Sequence, residues 1–256
     1  MTYCVALTLN AGLVFASDSR TNAGVDYVTT FSKMSVFRPA EDRLFVILTA
    51  GNLATTQEVL YRLQRDLGTL EGSVSLRTVR YLFEAAEYVG RVSREVQRQH
   101  AAALQQSGFS GEASFIIGGQ LRGQPHGIFL VYPQGNFISA SPQTPYLQIG
   151  ELKYGKPVLD RFIDPNLSLE DGSRLALVSL DATIHSNISV GPPLEVSLYA
   201  RDRFQISHRL KLDLTSPFYA GLQAEWQQGL SDAFQRLPRF EWESRVREES
   251  VATASR

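Results

Sequence analysis

Residues 2–20 read TYCVALTLNAGLVFASDSR. Two apolar runs, 2–9 and 12–17, are joined by Asn10-Ala11-Gly12, which is a β-hairpin pattern with turn-forming residues between strands. Alternation puts Tyr3, Val5, Leu7 and Leu9 on one face, with Cys4, Ala6 and Thr8 on the other. Both faces are largely apolar, so the sheet is expected to be covered on both sides. The run then ends abruptly in charge at Asp18 and Arg20.

Further strands are expected at 33–37, 43–49, 113–121, 127–132 and 136–140, with Pro133-Gln134-Gly135 as a turn. Apolar residues spaced by three and four predict helices over 53–67 and 76–104, the second closed by Gln106-Ser107-Gly108. Segments 154–162, 169–187 and 218–236 also read as helices, and 194–201 with 205–213 as a closing strand pair. Blocks of strands and helices in this order predict an α+β fold, with sheets packed face to face and helices outside. One domain is expected over 1–237, followed by a charged tail, 238–256, with Trp242 as its large apolar residue. Trp226 and Trp242 are read as packing or interface residues.

The chain has 256 residues, 25 basic and 26 acidic side chains, and a net charge of −1, so nothing electrostatic favours nucleic acid or an anionic membrane as partner. A single cysteine, Cys4, excludes an internal disulfide and reads as a small buried apolar residue. His100, His126, His185 and His208 lack ligand-like spacing, so no metal site is expected. No basic stretch precedes the first apolar run, and that run is too short to span a bilayer, so a cytoplasmic protein is expected. Gly118-Gly119 lacks the Lys-Ser/Thr of a phosphate loop. Asp181 and His185, four apart, read as a helix-surface pair.

Thr2 follows Met1 directly. Removal of Met1 would leave one residue carrying a hydroxyl nucleophile and an α-amine that can act as its base; retention would leave only an amide nitrogen there. Three polar features punctuate the strands that follow: Asp18 after the hairpin, Lys33 in Ser32-Lys33-Met34, and Gly51 in Thr49-Ala50-Gly51-Asn52. Singly these are a turn former, a solvated strand end and a turn before a helix.

Together they carry a resemblance. Thr2, the Ala-Ser-Asp-Ser-Arg run at 16–20, Ser32-Lys33-Met34 and Thr-Ala-Gly-Asn at 49–52 resemble proteasome β-subunits and related N-terminal-nucleophile hydrolases, especially the bacterial ancestral-β-subunit (Anbu) type. The likeness continues through Ser-Leu-Asp-Ala-Thr at 179–183 and Ser-Asn-Ile-Ser-Val-Gly-Pro-Pro at 186–193.

The resemblance implies a four-layer αββα sandwich and a self-compartmentalising threonine peptidase without a cofactor. Thr2 would be the nucleophile, Lys33 would keep the amine neutral, Asp18 would orient Lys33, and Gly51 would supply an oxyanion N–H. Arg20, Thr21 and Asn22 would form the edge on which an extended substrate adds as a strand, with Thr21, Ser35 and Thr49 around its side-chain pocket. Ser189 matches the family's supporting serine, with Ser186 where the family has aspartate. Glu151, in Ile149-Gly150-Glu151, stands where the family has a second serine, and its carboxylate beside the amine would weaken the base. A homo-oligomer, ring or open helix, is implied. An amidase using the same residues, or a catalytically weak scaffold subunit, are the alternatives.

Overall fold

The computed structural model describes residues 1–22, 28–68, 73–240 and 242–243. The N-terminal half runs β1 (Tyr3–Leu9), β2 (Gly12–Ser17), β3 (Arg20–Asn22), β4 (Val28–Thr30), β5 (Met34–Ala40) and β6 (Arg43–Gly51). Two helices follow, α1 (Leu53–Asp66) and α2 (Leu82–Gln106). Then come β7 (Ala113–Leu121), β8 (Gly127–Val131), β9 (Phe137–Ser139) and β10 (Tyr146–Gly150). The last third holds α3 (Lys156–Phe162), α4 (Leu169–Ser186), β11 (Leu194–Ala200), β12 (His208–Leu212) and α5 (Pro217–Gln235).

The opening hairpin forms as expected, with Cys4 opposite Ser17 and Leu9 opposite Gly12. Gly12 has φ +146°, and a Cβ there would lie 2.0 Å from the Tyr199 carbonyl oxygen, so the turn requires glycine. The hairpin is the middle of a five-stranded antiparallel sheet ordered β10-β1-β2-β11-β12. A second antiparallel sheet is a simple meander, β5-β6-β7-β8-β9, while β3 and β4 make a separate two-stranded ribbon.

Alternation along the strands separates three apolar cores. Tyr3, Val5 and Leu7 of β1 pack with Leu159 of α3, Leu177 and Leu180 of α4, and Tyr219 of α5. Cys4 and Ala6 point the other way and join Phe15 with Val46, Leu48 and Ile116 of the second sheet. That sheet's opposite side, including Phe45, Ile47 and Phe115, packs with Val59 and Leu63 of α1 and with Val89 and Val96 of α2. The Cys4 thiol is fully buried between the sheets, which pushes its pKa up, in keeping with a packing residue.

Two expectations are corrected, and two strands went unpredicted. Helix α2 begins at Leu82 and not at 76, because Ser75 and Thr78 close a turn whose Leu76 and Val79 reach the same core without helix. The Glu84 carboxylate then accepts the backbone N–H of Arg80 and Tyr81 at the helix start. Strands β4 and β10 escaped the pattern: β4 has three residues, and Tyr146–Ile149 of β10 are all buried, so no polar alternation marks them. Asp181 is not paired with His185 but accepts from Tyr219 Oη (2.9 Å) and Gln223 Nε2, tying α4 to α5. Trp226 packs edge-on against Phe162, and Trp242 stacks on Phe240. Most of the expected tail (241 and 244–256) lies outside the described residues.

Candidate active site

Asp18 directly follows β2 and is fully buried. Its Oδ1 accepts the Tyr3 N–H (3.0 Å) and the Lys33 ammonium (2.6 Å), and its Oδ2 accepts the Gly191 N–H (3.2 Å). Lys33 Nζ also donates to the Arg20 carbonyl at 2.7 Å. Burial pushes the Asp18 carboxyl above its ordinary range, and the Lys33 charge with these hydrogen bonds pulls against that rise. Such a pair holds only while both partners are present: removing one leaves an uncompensated buried charge, at about 3–5 kcal/mol.

Thr2 sits where β1 begins, and its carbonyl accepts the Glu151 N–H at 2.7 Å, extending the β1–β10 ladder by one step. A cleft of about 300 Å³ opens here, lined by Thr2, Lys33, Thr49, Gly51 and Gly150 among others, with Arg20 and Thr21 on the β3 side. Met1 lies in the same cleft and carries the α-amine. That amine titrates below its ordinary value, first through burial and then through the Lys33 charge, with Asp18 acting in the opposite sense.

Gly51 ends β6 with φ +108°, and a Cβ there would lie 2.3 Å from the Glu112 carbonyl oxygen. The next residue, Asn52, caps α1 by accepting the Thr55 N–H, so the cleft wall is also a helix N-terminus. The structure therefore gathers Thr2, Lys33, Thr49, Gly51, Arg20 and Thr21 around one cleft, with Asp18 behind it. The Thr21 hydroxyl is buried without a partner among the described residues. Asn22 ends β3 opposite Val28, and its side chain is outside the described set.

Other expected members are placed differently. Ser35 does not line the cleft: it is two residues along from Lys33, opposite Ile47. The Ser189 hydroxyl donates to Asn187 Oδ1 (2.6 Å), and Asn187 Nδ2 donates to Glu151 Oε2 (3.1 Å). The Glu151 carboxylate is thus engaged with the α4–β11 loop, and it is the Glu151 backbone N–H that meets Thr2. Asn187, which joins Glu151 to Ser189, was not singled out from sequence, although Asn-x-Ser in a loop is an Asx-turn pattern. The Arg20 guanidinium donates to the Ile188 carbonyl, holding the same loop against β3. Among the described residues no group of three or more His, Cys, Asp or Glu converges as metal ligands would. No described helix is long and apolar enough to cross a membrane.

Solved structures share this α+β architecture over nearly the whole chain. Anbu (ancestral β-subunit) from Yersinia bercovieri is 40% identical, with a TM-score of 0.87 over 94% of this chain and 99% of that one. The structure described as the helical assembly of the Anbu complex from Pseudomonas aeruginosa is 44% identical, with a TM-score of 0.88 over 93% and 98%. An Anbu (Gly-1) mutant from Hyphomicrobium sp. strain MC1 is 38% identical, with a TM-score of 0.86 over 94% and 100%. No protein-family model and no curated protein matches the chain. These likenesses place the chain in a class, the proteasome-related proteins. Within that class it belongs to the Anbu, or ancestral β-subunit, family.

Proposed function

We propose that this protein is a threonine peptidase of the N-terminal-nucleophile type, acting once Met1 is removed. The observation that carries the reading is the buried Lys33–Asp18 pair (2.6 Å) beside both Thr2 and the α-amine. In the mature chain the amine belongs to Thr2. Held neutral by burial and by Lys33, it takes the Thr2 hydroxyl proton as Oγ attacks a peptide carbonyl. The Gly51 N–H receives the developing oxyanion, a donor of a kind worth about 2.7–4 kcal/mol. The proton passes to the departing amine as the C–N bond breaks, leaving an ester on Thr2. A water then attacks that ester and gives a proton to the α-amine, which passes it to Thr2 Oγ as the acyl–oxygen bond breaks, releasing the acid and restoring the hydroxyl and the neutral amine.

Asp18 orients Lys33. Arg20, Thr21 and Asn22 offer the strand edge on which substrate adds, Thr49 shapes the side-chain pocket, and Ser189 supports the loop behind Thr2. We read the three cores as a four-layer αββα stack in one domain over 1–237. The subunits form a homo-oligomer in the cytoplasm, a reading supported by the relative described as a helical assembly. Intact-mass measurement, followed by reaction with a peptide epoxyketone, tests the proposal. A chain lacking Met1 that gains one inhibitor mass on Thr2 is expected; a chain that keeps Met1 and stays unlabelled overturns it.

A further inference from the structure

Among the described residues only three charged side chains are buried: Asp18, Lys33 and Glu195. The first two belong to the site. Glu195, 5% exposed on β11, is the one that remains unexplained. A buried carboxylate costs several kcal/mol in lost hydration, so its partners are informative.

Those partners converge on the residues either side of Lys33. Glu195 Oε2 lies 3.0 Å from the Ser32 hydroxyl and 2.9 Å from Arg209 Nη2 of β12. Arg209 Nη2 also reaches the Met34 carbonyl at 3.5 Å. Ser32 has one hydroxyl proton and a choice between Glu195 and the Met34 carbonyl (3.1 Å); a carboxylate is the stronger acceptor. The β11–β12 pair of one sheet therefore grips Ser32 and Met34, where the chain enters the other sheet. Lys33, held between them, is also tied into the ladder, its carbonyl accepting the Thr49 N–H at 3.0 Å.

We infer that Glu195 is a positioning residue for Lys33, acting through Ser32 to fix the turn that delivers the ammonium to Asp18 and to the α-amine. The inference rests on the proposed role of Lys33 in keeping that amine neutral. The charged groups around the amine are Lys33 and Asp18, with Arg20 lining the same cleft and Glu151 turned to Asn187. Those around Glu195 are Arg209 and its cross-strand neighbour Lys211, with the Cys4 thiol within electrostatic reach.

Positioning and direct charge have opposite signs, which makes the role testable. Losing the Ser32 hydrogen bond lets Lys33 drift, so the amine becomes easier to protonate and its pKa rises. Losing the Glu195 charge alone removes a negative group and lowers that pKa. The full chain is labelled with trace acetic anhydride across a pH series, and acetylation of the N-terminal amine is read by mass spectrometry. The readout needs no turnover, and it holds whether the amine is on Thr2 or on Met1, which lies under the same Lys33 influence.

Lys33→Ala should raise the amine pKa by about one unit, the scale of a neighbouring charge. Ser32→Ala should raise it by roughly half as much or more, although Ser32 is exposed and carries no charge. Glu195→Gln keeps an acceptor for Ser32 and should titrate at or below the wild-type value, whereas Glu195→Ala, equally uncharged but without the acceptor, should titrate above Glu195→Gln. A rise in Lys33→Ala with Ser32→Ala at the wild-type value overturns the positioning role, as does a Glu195→Ala value no higher than that of Glu195→Gln. No rise in Lys33→Ala overturns instead the reading of Lys33 itself.

Discussion

Gly150 and Thr2 are in backbone contact that leaves no room for a side chain. A Cβ on Gly150 would lie 1.9 Å from the Thr2 carbonyl oxygen, and the residue has φ +89°, outside the comfortable range of other amino acids. Gly150→Ala should therefore push Thr2 out of the ladder that the Glu151 N–H completes. A loss of about 1–3 kcal/mol from strain alone is expected, with a larger proportional loss of Thr2 reactivity. Thermal melts and epoxyketone labelling measured on the same preparation check both.

The chemistry of the pair gives a second test. Thr2→Ala should abolish epoxyketone labelling, because hydroxyl and amine both enter the adduct. Lys33→Ala should slow it by about 10²–10⁴-fold, the span of general-base assistance. Mass spectrometry against inhibitor concentration reads both variants; full-rate labelling of Lys33→Ala would remove Lys33 from the mechanism.

The pH dependence follows from the amine. In the chain that keeps Met1 the amine is lowered first by burial and then by Lys33, and the Thr2 amine that processing exposes in the same cleft is expected to feel the same two causes. A base with a lowered pKa stays neutral to lower pH, so the acid limb of the rate profile should sit below the ~7.7–8.0 of a free α-amine. Lys33→Ala removes one of the lowering causes and should move that limb to higher pH. Lys33→Arg keeps the charge, so its limb should stay near the wild-type position even where the rate falls. Inactivation rates across pH 5–9 (roughly the range in which such an amine titrates) separate the two.

Assembly is tested on the outer face of α5. Leu230 and Phe234, one turn apart, are 47% and 75% exposed, and Leu237 and Phe240, just beyond the helix, are exposed as well. Exposed apolar residues one helical turn apart are a candidate for contact with another chain. Light scattering should give about six subunits or more for the wild type, in a ring or an open helix built from head-to-tail contacts. Leu230→Glu combined with Phe234→Glu should yield a smaller particle with an unchanged circular dichroism spectrum.

Sequence carried the fold where polarity changed sharply. The hairpin at 2–17 and β7 stand out as apolar runs bounded by turn residues, and Asp18 and Lys33 stand out as charges against that background. β10 was hidden because both its faces are buried. Asn187 differs: its Asx turn with Ser189 is local and legible, but its bond to Glu151 joins positions far apart in the chain, which no local pattern reveals. Glu151 was legible as a position but not as a function, since its backbone and its carboxylate serve different neighbours. Ser35 shows the limit of carrying over positions by likeness, because two residues along β5 are enough to leave the cleft.

The place of β1 in its sheet, laddered to β10 on one side and β2 on the other, has a practical consequence. A group mounted on a loop or lid can be loosened by heat while the body of a protein stays folded, and activity then fades before structure does. Thr2 has no such independence: its carbonyl is tied into the same ladder as the strand that fills two cores. On warming, reactivity at Thr2 should persist up to the melting transition and vanish with it, so that the temperature at which the protein dies and the temperature at which it unfolds are one.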